Sequence, residues 1–77
     1  MKRDHIKRQQ KFIKAFASNL KKIREEKGLS QEGLANECDM SKSTLQRIEW
    51  AKINPTIAIV KSISDALKVE FSELFKL

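Results

Sequence analysis

Residues 42–50 place several hydrogen-bonding side chains on one side of a short helical stretch. At about 100° per residue, Ser43, Gln46, Arg47 and Trp50 point one way, with Lys42 on their flank near the N-terminus, while Leu45 and Ile48 point the other. The outward set is rich in donors. An arginine fork matches guanine O6 and N7, and a glutamine amide can match the adenine edge. A solvated helix face would carry the same residue types, so the meaning of this face depends on its surroundings.

The rest of the inventory narrows the chemistry. His5 is the only histidine and Cys38 the only cysteine, so neither a zinc-type ligand set nor an internal disulfide can be assembled. His5 reads as a solvated side chain and Cys38 as a small packing residue suited to a reducing compartment. No Ser/His/Asp or Cys/His set, paired-carboxylate pocket or glycine-rich phosphate loop is present. The sequence therefore reads as a binding protein, with no catalytic residue, metal or cofactor expected.

The 77 residues carry a net charge of +6. Residues 1–27 hold ten Lys/Arg against three Asp/Glu, a net of +7, whereas residues 28–77 hold six against seven, a net of −1. This asymmetry suits a polyanion partner, or else a well-solvated helix. No apolar run approaches the roughly 20 residues of a membrane span, and no signal-type segment opens the chain. A cytoplasmic, membrane-free protein is expected.

Positioning the outward face requires helices, and the apolar residues recur at helical intervals throughout. Five helices are expected, near 6–27, 31–38, 42–50, 57–67 and 71–76. The first has Ile13, Phe16, Leu20 and Ile23 as its apolar stripe and stops at Gly28, suited to a left-handed C′ position. Ser30, Ser41 and Thr56 are N-caps for the second, third and fourth. The second and third are joined by a tight turn at Asp39-Met40. They must cross closely, which Ala35 permits, with Leu34, Met40, Leu45 and Ile48 as their seam. Phe12, Phe16, Phe71 and Phe75 read as core or interface. Residues 1–15 form a basic extension running into the first helix, and residues 16–77 the domain proper. Whether the extension seeks phosphates or is a soluble helix end stays open.

The order of these residues resembles the Cro/repressor-like (XRE-type) helix-turn-helix family of transcription regulators. The resemblance rests on residues 20–28 (LKKIREEKG), 29–35 (LSQEGLA), 41–45 and 47–49 (RIE), on Asn54-Pro55 and on 72–75 (SELF). It implies an all-α, five-helix, lambda-repressor-like domain whose third helix enters the major groove. It further implies that Lys42, Ser43 and Arg47 read bases, with Gln46 assisting. Gln31 would meet a phosphate at the start of the second helix, and Lys52 would approach the backbone from the following loop. Trp50 would either lie along the DNA backbone or cover the loop at 53–55. Asp39, Ala51 and Lys68 stand where the family usually has glycine, and Gly33 where it usually has glutamate.

Arg24 and Glu49 each flank an apolar stripe, and the family resemblance implies the same pairing: a buried or half-buried ion pair. One such unit offers a single reading helix, so a symmetric homodimer on a palindromic double-stranded operator is expected. Ile57 and Ile59 widen the apolar side of the fourth helix. With Phe71, Leu74, Phe75 and Leu77 they make a candidate dimer face. Alternatively, Ile57 and Phe75 complete the monomer core. With no second domain apparent, no small-molecule effector is expected. Functionally, a repressor or restriction-modification controller is the first reading. An antitoxin-like module that holds a toxin and autoregulates its operon is the alternative.

Overall fold

A computed structural model describes the backbone of residues 2–77 and the side chains of residues 4–77. Met1 and the side chains of Lys2 and Arg3, part of the basic extension, lie outside the described residues. Four α-helices run in sequence, α1 (Lys2–Glu26), α2 (Gln31–Glu37), α3 (Lys42–Glu49) and α4 (Ile57–Leu67), followed by a 3₁₀ turn, Phe71–Phe75.

The long α1 follows from an uninterrupted stretch without Gly or Pro. It begins four residues before the expected start at 6, because the strongly basic opening carries no helix-breaking residue. The last element is corrected from an α-helix to a 3₁₀ turn that stops at Phe75. Five residues are too few to sustain α-helical bonds, and the tighter i→i+3 pattern is usual for such pieces. Trp50 and Cys38 cap α3 and α2 rather than continuing them.

Each interior helix starts on a side-chain cap. Ser30 Oγ accepts from the Gly33 amide at 2.9 Å, Ser41 Oγ from Thr44 at 3.0 Å and Thr56 Oγ1 from Ile59 at 3.1 Å. All four helices end alike. A residue with positive φ sits just past the end: Gly28 (73°), Asp39 (54°), Ala51 (57°) and Lys68 (58°). The next amide folds back five residues: Leu29 to Arg24 O, Met40 to Ala35 O, Lys52 to Arg47 O, and Val69 to Ser64 O. This Schellman geometry satisfies carbonyls the helix would otherwise leave bare.

The core is one cluster. Leu20, Leu34, Leu45, Ile48, Ile63, Leu67 and Leu74 are essentially inaccessible, and Phe16 and Val60 nearly so. Ala35 is fully buried where α2 crosses α3. Val60, Ile63 and Leu67, spaced three and four apart, are the buried stripe of α4. Asn19 Nδ2 donates to the carbonyls of Leu74 (2.8 Å) and Glu73 (3.1 Å), tying the 3₁₀ turn to α1.

Candidate nucleic-acid interface

The third helix, α3, is anchored from beneath. Arg24, near the end of α1, and Glu49, the last residue of α3, are both buried. Arg24 Nε donates to Glu49 Oε2 at 2.6 Å and Nη2 to Oε1 at 3.1 Å, a two-pronged, charge-assisted contact. Arg24 Nη1 donates to Leu29 O at 2.7 Å, fixing the α1–α2 loop as well. The hydrogen bond to Glu49 raises the Arg24 pKa above its ordinary value, against the opposing effect of burial.

Gln31 joins this pair. Its Nε2 donates to Glu49 Oε1 at 3.0 Å, and its Oε1 accepts from Gln46 Nε2 at 3.3 Å. A single network therefore links α1, the start of α2 and the middle of α3. Each amide keeps one N–H outside the network. Sequence reasoning missed the Gln31–Gln46 bond, because no sequence pattern links residues of two crossing helices. Thr44 was also missed; its Oγ1 lies 2.9 Å from Ser41 Oγ.

Above the network, Lys42, Ser43 and Arg47 are exposed and Gln46 is half-buried, so these four share one side of α3. Trp50 at its end is 60% exposed, and Lys52 is exposed in the loop beyond. Cys38 is half-buried against the core. Burial, then the carboxylates of Glu37 and Asp39, push its thiol pKa up, which disfavours the reactive thiolate.

The six candidate dimer-face residues separate. Leu74 is fully buried in the monomer core, which removes it from any interface: its backbone is clasped by Asn19, so its side chain turns inward. Ile59, Phe71 and Phe75 are half-buried against the core. Ile57 (78%) and Leu77 (58%) are exposed. Phe75 sits in an aromatic cluster, with ring centroids 5.2 Å from Phe71, 5.3 Å from Phe16 and 6.1 Å from Phe12. Beside it lies an open apolar groove of about 300 Å³, lined among others by Phe12, Ile13, Pro55, Ile57 and Phe71.

Two short helices crossing at a small residue, the second presenting a donor-rich face, define a helix-turn-helix protein. Residues 20–74 match the helix-turn-helix family HTH_3, and the chain belongs to this family of DNA-binding transcription regulators. The control protein C.MunI of Mycoplasma sp. is 39% identical over 61 residues, covering 78% of this chain and 82% of the relative. The HTH-type transcriptional regulator y4dJ of Sinorhizobium fredii is 34% identical over 61 residues, covering 79% of each. Among solved structures, the restriction-modification controller protein C.AhdI of Aeromonas hydrophila superposes with a TM-score of 0.80 at 32% identity, covering 82% of this chain and 96% of that one. An HTH_3 family regulator from Vibrio cholerae gives 0.81 at 35% identity, covering 86% of this chain and 37% of that one.

Proposed function

We propose that this chain reads a palindromic double-stranded operator as a homodimer, in the manner of a small repressor or restriction-modification controller. The carrying observation is the exposed donor face of α3, held by the buried Arg24–Glu49–Gln31 network. A fixed face reads bases without first being ordered, which lowers the cost of binding. The relatives named as control and controller proteins support the controller reading. Residues 16–77 are the DNA-binding domain and residues 1–15 a basic extension of it. The protein works in the cytoplasm as a binder, with no effector and no reaction of its own.

Lys42, Ser43 and Arg47 read base edges in this account, with Gln46 at their flank. Gln31, Trp50 and Lys52 meet the backbone. Gln31 has one amide N–H left for a phosphate oxygen once Glu49 has taken the other. Selection of bound sites from random duplex gives the operator and is the first experiment. With that site in hand, Arg47→Ala should relax the preference at one base position by about 1–3 kcal/mol. Lys52→Ala should weaken all sequences alike and flatten the salt dependence by about one unit. An unchanged preferred site after Arg47→Ala would refute the assignment of α3 as reader.

A further inference from the structure

Residues 4–11 of α1 have no packing role that accounts for them. Every described side chain from 4 to 12 is exposed, yet the helix runs unbroken through them. Lys7, Lys11, Lys14, Lys21 and Lys22 are all exposed. At 100° per residue they fall within an arc of about 100°, on the side of α1 opposite Phe16 and Leu20. From Lys7 to Lys22 the row is about 22 Å long at 1.5 Å per residue. Ile6 and Phe12, the exposed apolar residues of this stretch, lie on the other flanks, so the lysine face itself is polar.

Lysines outnumber carboxylates on this face, which Asp4 and Glu25 share, and no short ion pair holds them. The ion pairs among the described residues are Arg24–Glu49, Lys61–Asp65 and Lys76–Glu73, and none involves these lysines. Lys7 and Lys11 are four apart and Lys11 and Lys14 three apart, spacings at which like charges destabilise a helix. An anion laid along the row would relieve this repulsion.

The N-terminal part of the row, Lys7 to Lys14, is also separate from the α3 contact. Arg24 turns toward α3, whereas Lys11 lies about 19 Å back along the helix at 1.5 Å per residue. Gln31 and Lys11 therefore do not share a phosphate. We propose that the Lys7–Lys11–Lys14 face of α1 is a second phosphate-binding surface, which holds duplex DNA backbone outside the contact made by α3 and without regard to sequence. The inference rests on the reading that this chain binds DNA. A polar lysine row without apolar anchors fits a hydrated phosphate backbone better than a protein groove.

The test is the triple variant Lys7→Gln, Lys11→Gln, Lys14→Gln, whose three sites are exposed and remain good helix formers. Binding to a random-sequence duplex and to the selected site is followed by anisotropy across a potassium chloride series. Each phosphate contact contributes about 0.9 to the log–log salt slope. The variant's slope should therefore be shallower by about two to three units on both duplexes, with the preference between them unchanged. A control with Lys61, Lys68 and Lys76 changed to Gln has the same net charge and should keep the wild-type slope. A triple variant that is folded by circular dichroism and keeps the wild-type slope overturns the proposal. So does an unchanged slope on DNA accompanied by lost binding to poly-glutamate, which would assign the face to an acidic protein. A wild-type chain that binds no duplex at any salt would sink the DNA-binding reading itself, an outcome distinct from both.

Discussion

Arg24 connects three elements with one side chain, and its removal has an unusually well-defined cost. Glu49 has a side chain only 1% exposed, and it accepts from Arg24 Nε and Nη2 and from Gln31. Arg24→Ala strands that carboxylate with a single amide donor. Breaking a buried pair from one side costs about 3–5 kcal/mol, so urea unfolding should show a loss of that size. Arg24→Lys should recover only part of it, since an ammonium cannot span both carboxylate oxygens and the Leu29 carbonyl together. A midpoint for Arg24→Ala equal to wild type would show that the network is dispensable. The pair was visible in the sequence because each partner sits beside an apolar stripe and within a recognisable motif. The two glutamines that extend it were not, since amide pairing depends on where two helices cross.

Among the elements, α4 was legible at both ends, from the Thr56 cap to Leu67, because a capping residue preceded a clean apolar period. The start of α1 was not legible. Its opening residues carry neither cap nor breaker, and lysine and arginine are acceptable anywhere along a helix. The 3₁₀ geometry of Phe71–Phe75 was hidden for a related reason: at five residues, the apolar spacing cannot distinguish three residues per turn from 3.6. The common ending of all four helices leads to a prediction. Ala51 and Lys68 hold φ of 57° and 58°, where a β-carbon costs about 1–2 kcal/mol, partly offset by the backbone entropy that glycine loses on folding. Ala51→Gly and Lys68→Gly should each raise stability by about 0.5–1 kcal/mol, read as a higher thermal midpoint. Asp39→Gly should do less, because aspartate tolerates the left-handed region better. A lower midpoint in both glycine variants would show that those loops are held by something other than backbone geometry.

At the scale of the whole molecule, the surface divides by character. The α3 face is donor-rich, the outer side of α1 is cationic, and the groove between α1, α4 and the 3₁₀ turn is apolar. The groove, with Ile57 at its rim, is the surface best suited to a two-fold contact. With the proposed homodimer built on this groove, Ile57→Lys should shift sedimentation at tens of micromolar from dimer toward monomer. Because Ile57 is 78% exposed, the monomer's own unfolding midpoint in dilute solution should barely move. A variant that sediments as wild type would place the contact elsewhere. The candidate dimer face was only partly sorted by sequence. Leu74 looked as available as its neighbours until the Asn19 clasp turned it inward, a contact spanning 55 positions.

That clasp also sets an order of events during synthesis. Asn19 bonds the backbone of residues 73 and 74, and the rings of Phe12 and Phe16 stack on Phe75. On a translating ribosome α1 emerges first; α3 can then pack against it, and α4 against α2, as they appear. Leu74, a fully buried member of the core, leaves the exit tunnel after these helices, so the core can close only once residues 71–75 are free to join it.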